Sequence, residues 1–157
     1  MTLRCIVMGA AGRDFHDFRT FFRTHPEMRV VAFTAAQIPF IERRVFPHEL
    51  AGPEYPEDIP IFPEEELGAL ITRLRVDFVF LSYSDLSHLE VMHKASLVQA
   101  HGAAFAVLGP RHTMLTAKVP VVAVTASRTG AGKSPLTQWL ARTLRSRGQR
   151  VAVLRHP

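Results

Sequence analysis

Val119-Pro-Val-Val-Ala-Val-Thr-Ala-Ser-Arg-Thr-Gly-Ala-Gly-Lys-Ser134 reads as an apolar strand, a small-residue loop and the first turn of a helix. Pro120 aside, residues 119–124 form an apolar run of buried-strand length. Beyond the loop, Leu136, Trp139, Leu140, Thr143 and Leu144 recur at helical spacing on one face. Pro135 falls in the first turn, where a missing N–H costs nothing, and Gly148 is a natural stop. Strand, glycine loop, Lys-Ser and helix together predict a P-loop, the phosphate-cradling turn of nucleotide-binding domains.

Each residue type has a chemical reason to be there. Gly130 and Gly132 let successive N–H groups turn inward as an anion nest, and the helix N-terminus adds its positive end. Lys133 would reach the β- and γ-phosphates, and the Ser134 hydroxyl would ligate Mg²⁺. The expected nucleotide-binding set is Ser127, Arg128, Thr129, Gly130, Ala131, Gly132, Lys133 and Ser134. Lys133 and Arg128 carry the expected catalytic charge, Arg128 as an arginine finger. Ser127 departs from the pattern, because a glycine usually opens this loop.

Outward from that stretch, the composition is that of a globular α/β protein, with 47% hydrophobic residues among 157. A net charge of +5, mostly arginine, suits phosphate-bearing ligands. No basic helix with interleaved aromatics stands out, so nucleic acid is disfavoured as a partner. Cys5 is the single cysteine and lies in an apolar strand, which predicts a core residue in a reducing compartment. No apolar run reaches the length of a membrane span and no signal-peptide pattern opens the chain, so the cytoplasm is expected. The eight histidines show no metal-ligand spacing.

Residues 1–110 predict a Rossmann-like parallel-sheet domain. Leu3–Met8 is a strand ending in Gly9-Ala-Ala-Gly12-Arg13, a helix follows to about Thr24, and Arg29–Ala35 is a second strand. The full G-x-G-x-x-G fingerprint is absent, and Ala35-Ala-Gln37 stands where an acid would hold a ribose. Dinucleotide binding is therefore kept as an alternative, beside a phosphate or carboxylate at this helix N-terminus. Residues 38–63 are proline-dense and read as a structured loop, with Arg43 and Arg44 as anion contacts. Further helices are expected at 64–75 and 87–101, and strands at 77–82 and 103–108. Ligands of open α/β sheets bind beyond carboxyl strand ends. Gly9, Gly12, Arg13, Ser84, Asp85 and Arg111 are the candidate substrate or anion residues at those ends. Residues 111–118 read as a connector, and 119–157 as the first βαβ unit of a P-loop domain that looks truncated.

Several segments resemble the cyclic 2,3-diphosphoglycerate synthetase family, whose members are also described as predicted GTPases. They are Gly-Ala-Ala-Gly-Arg-Asp-Phe-His at 9–16, Tyr-Ser-Asp-Leu-Ser-His at 83–88, Leu-Gly-Pro at 108–110, Thr-Met-Leu at 113–115, the 124–134 loop and Arg-His-Pro at 155–157. The resemblance covers the whole chain in order and implies the N-terminal portion of a longer protein. It implies ATP or GTP with Mg²⁺, and a ligase or cyclase acting on a small phosphorylated acid such as 2,3-diphosphoglycerate. A regulatory GTPase or GTP-dependent metallochaperone is the alternative from another class. The 157 residues alone are expected to be inactive, and self-association is left open.

Overall fold

The computed structural model describes residues 2–9, 12–36, 44–83, 86–126 and 130–154. The chain divides into two compact units, Met1–Leu115 and Thr116–Pro157.

The first unit is a six-stranded sheet in the order β3-β4-β2-β1-β5-β6. Its strands are β1 (Leu3–Met8), β2 (Met28–Ala35), β3 (Val45–Phe46), β4 (Ile59–Pro63), β5 (Phe78–Leu81) and β6 (Ala104–Ala106). All neighbours pair in parallel except β3 with β4. The chain builds outward from β1 through β2 to β4, then returns to the other side of β1 for β5 and β6. This is the Rossmann-like winding, and it puts the switch in direction between β1 and β5.

Alternation along β1 feeds two cores. Cys5 and Val7 face one cluster with Phe18, Phe22, Phe33, Phe46 and Tyr55. Ile6 and Met8 face the other, with Leu67, Leu70, Ile71 and Val98. The first is covered by α1 (Arg13–Thr20) and the loop carrying α2 (His48–Ala51). The second is covered by α3 (Leu67–Leu74) and α4 (His88–Ala100). A strand buried on both faces reads as a continuous apolar run, which is why Cys5–Met8 does. Ser87 caps α4 and Glu90 reciprocates in a capping box, as the spacing predicts. Burial pushes the Cys5 thiol up to about 12, consistent with an inert core residue.

Three expectations need correction. The first helix ends at Thr20, and a 3₁₀ turn at Phe22–Thr24 completes the segment. The proline-dense stretch is more than a loop: it supplies β3, α2 and β4. Pro60 lies opposite the two-residue edge strand β3, and Pro63 is the last residue of β4, so neither interrupts the middle of a long ladder. The third correction concerns the second unit. No strand forms at 119–124, nor at 150–154, where the second strand of the expected βαβ unit falls, although α6 (Lys133–Ser146) does. A helix satisfies its own backbone, whereas a strand exists only through a neighbour's hydrogen bonds. Val119, Val121, Val122, Trp139 and Leu154 stay exposed.

Phe18 is fully buried and touches the rings of Phe33, Phe46 and Tyr55 at 5.9, 5.0 and 5.3 Å. Phe18→Ala should cost about 3–5 kcal/mol through lost burial and the cavity left behind. Urea unfolding followed by circular dichroism checks this, and an unchanged midpoint would contradict the packing described.

Candidate functional site

The crevice lies where the carboxyl ends of β1 and β5 meet the start of α1. Gly9 follows β1 with φ 149°, and its N–H donates to the Thr34 carbonyl at 2.8 Å. A Cβ at Gly9 would stand 3.1 Å from Asp14 Cβ and 3.5 Å from Ser82 Cβ. Glycine here lets the helix start close against both strands. Gly12 has φ 120°, and its N–H donates to Asp14 Oδ1 at 2.8 Å. Asp14 and Asp17 are 1% and 2% exposed. Ser82 Oγ donates to Asp17 Oδ2 at 2.7 Å. Asp17 Oδ1 is buried and accepts no hydrogen bond among the described residues. The Arg13 Nε lies 4.0 Å from Asp17 Oδ2, with its side chain half exposed.

This geometry changes the chemistry expected of the turn. A phosphate at this helix start would compete with the Asp14 carboxylate for the Gly12 N–H. It would also meet the negative charge of Asp17 at short range. The buried groups accept hydrogen bonds, and the orphaned Asp17 oxygen calls for a donor.

The wall on the other face is a polar chain that sequence reasoning missed. Tyr83 Oη accepts the Ala36 N–H at 3.0 Å and donates to Glu64 Oε2 at 2.8 Å. Lys94 forms an ion pair with Glu64 Oε1, and its ammonium lies 5.8 Å from the Tyr83 ring centre. Burial and the Glu64 carboxylate push the Tyr83 phenol well above its ordinary range. The chain ties together the ends of β2 and β5, the start of α3 and the middle of α4. The end of β2 carries no acid to hold a ribose. The structure instead has an acid at the end of β4, already engaged by Tyr83 and Lys94. Tyr83 directly after an apolar strand was the available signal, but its partners are distant in sequence.

Of the predicted crevice residues, Gly9, Gly12 and Arg13 come together, while Ser84 and Asp85 lie outside the described residues. Arg111 lies on α5 (Pro110–Thr113), which is held to α1 by a 2.6 Å contact from His16 Nε2 to the Thr113 carbonyl. No hydrogen bond or ion pair joins Arg111 to the turn among the described residues. Arg43 lies outside them too, and Arg44 is exposed.

The Lys133 turn belongs to the second unit. Gly130 and Gly132 have φ 80° and 86°, and Gly132 caps α6. Lys133 and Ser134 open that helix and are exposed. Ser127, Arg128 and Thr129 lie outside the described residues.

No family model matches the chain. The chain is 52% identical over 154 residues to a Thermococcus kodakarensis protein named arginine synthetase ArcE. The match covers 98% of this chain but 34% of that protein, so the chain spans about a third of its relative's length. Among solved structures, it resembles RSP, a Rex-family repressor, with TM-score 0.51 and 14% identity, over 94% of this chain and 61% of that one. At that identity the likeness shows the Rossmann-like α/β fold alone. The same repressor has been solved with β-NADH (TM-score 0.48, 15% identity, 93% of this chain and 62% of that one). It has also been solved with β-NAD⁺ and operator DNA (TM-score 0.47, 14% identity, 93% and 58%).

These findings correct four expectations. The resemblance to cyclic 2,3-diphosphoglycerate synthetases gives way to a relative that carries a different name, arginine synthetase. The P-loop ligase or cyclase acting on a phosphorylated acid is set aside with it, as is the GTPase alternative. ATP or GTP with Mg²⁺ is withdrawn as the cofactor set along with the resemblance that implied it, and the strand that would seat a phosphate loop does not form. Of the descriptive terms, Rossmann-like stands. No helix among the described residues is long and apolar enough to cross a membrane.

Gly9→Ala should destabilise the first unit by about 1–3 kcal/mol, because φ 149° strains a side chain and the new methyl meets Asp14. Thermal unfolding checks it, and wild-type stability would show that the helix start is not tightly seated.

Proposed function

We propose that this chain serves a protein that forms arginine, and that its first unit supplies the crevice for a donor-rich ligand such as a guanidinium group. The observation that carries the reading is the 52% identity across nearly the whole chain to a protein named arginine synthetase. The crevice chemistry supports it. Asp14 and Asp17 are buried acceptors beside the Ser82 hydroxyl, and Asp17 Oδ1 lacks a donor among the described residues. A guanidinium offers a planar fork of N–H donors that matches a carboxylate edge.

A dinucleotide is the second reading, favoured by the strand order that puts the switch point beside the Gly9–Gly12 turn. The two readings differ in charge. A pyrophosphate must displace Asp14 from the Gly12 N–H, whereas a guanidinium uses the carboxylates as they stand. Calorimetric titration of the chain with L-arginine, NAD⁺ and NADH separates them. Saturable L-arginine binding that weakens about tenfold or more in Asp17→Asn supports the first. Dinucleotide binding that tightens in Asp14→Asn, with arginine inert, supports the second. Silence from all three ligands overturns both.

The loop of Ser127, Arg128, Thr129, Gly130, Ala131, Gly132, Lys133 and Ser134 is proposed as a separate anion-holding turn. Two positive-φ glycines ahead of a 14-residue helix support it, with Lys133 and Arg128 as the charges and Ser134 as a donor. Inorganic phosphate should shift the backbone amide signals of Gly132 to Ser134. Lys133→Ala should weaken that response about tenfold, and an unchanged response removes the lysine from the role.

A further inference from the structure

A cavity of about 220 Å³ opens at the opposite end of the sheet from the crevice, beside the start of β2. Phe22, Arg23, Pro26, Arg29, Ala51, Pro53, Glu54 and Tyr55 line it. Phe22, Ala51 and Tyr55 are buried and form its apolar floor. The Tyr55 hydroxyl is committed to the core, where it accepts the Val30 N–H at 3.0 Å. Its ring therefore stays fixed as a wall.

Both arginines are held at this wall. The Arg29 guanidinium lies over the Tyr55 ring, 5.2 Å from its centre. The Arg23 side chain lies along Gly52, where a Cβ would come within 3.1 Å of its Nε. Gly52 has φ 102°, so glycine both permits the turn and clears the guanidinium. Among the described residues neither arginine has a carboxylate within ion-pair distance. Two guanidiniums face one carboxylate, Glu54, which leaves a single positive excess over an apolar floor.

We propose that this cavity binds a small organic acid of single negative charge with an apolar body. Its carboxylate would lie between Arg23 and Arg29, and its hydrocarbon part against Phe22, Pro26 and the Tyr55 ring. Glu54 sets the charge preference, since a dianion would face its carboxylate unpaired. The site lies outside the crevice, so its failure leaves the arginine reading untouched.

Amide chemical shifts of the 157-residue chain, titrated with 4-methylpentanoate, succinate and inorganic phosphate, test the proposal. The monoanion should shift Arg23, Gly52 and Tyr55 saturably, and succinate and phosphate should shift them far less. Arg29→Ala and Arg23→Ala should each weaken the response about tenfold. Both arginines are exposed, and an unchanged unfolding midpoint verifies that each variant folds. Arg29→Lys provides a second, gentler variant and should retain part of the affinity. Glu54→Gln should raise the response to succinate. No saturable shift, an equal response to all three ions, or binding that survives loss of both arginines would overturn the proposal.

Discussion

The 2.7 Å hydrogen bond from Ser82 to Asp17 joins α1 to the end of β5 across the switch point of the sheet. Gly9 helps to seat that helix start: a methyl there would stand 3.1 Å from Asp14 Cβ and in contact with Ser82. The same helix start carries the buried Asp14 and Asp17. The aromatic cluster under α1 depends on the same seating, since Phe15 and Phe18 descend from that helix onto Phe33 and Phe46.

Buried carboxylates at a glycine turn invert the usual electrostatics of such a place. The helix N-terminus offers N–H groups and a positive dipole end, and an anion from solvent normally answers them. Here Asp14 answers from within the chain. An internal anion thus satisfies the backbone N–H that a solvent anion would otherwise take. Cations collect at the other end of the sheet, where Arg23 and Arg29 flank the apolar cavity. The buried aspartates and these two arginines thus lie at opposite ends of the same sheet.

The second unit obeys a different constraint. Helix α6 forms from its own hydrogen bonds and the spacing of its apolar residues, with Gly132 and Gly148 marking its ends in positive φ. The valines at 119, 121 and 122 have the composition of a buried strand, yet they find no ladder partner and remain exposed. Apolar character marks a segment for burial, but pairing requires another strand at the right distance.

Local chemistry made part of this molecule legible in the sequence alone. Leu3–Met8 and Arg29–Ala35 read as strands because their apolar stretches, Cys5–Met8 and Val30–Phe33, bury well. Ser87 and Glu90 announce a helix because their side chains cap its first turn. Gly9 and Gly12 mark a turn because few other residues adopt their φ. These are properties of neighbours along the chain. What joins residues distant in sequence was decided only by the tertiary structure. Asp17 meets Ser82, and Glu64 meets both Tyr83 and Lys94. Pro60 and Pro63, which locally argue against a strand, lie in one that the sheet assembles from distant partners, β2 on one side and β3 on the other. The sign of the crevice follows the same rule. The sequence put glycines at a helix start and so suggested phosphate, whereas the fold buried two aspartates there, one of them already on the Gly12 N–H.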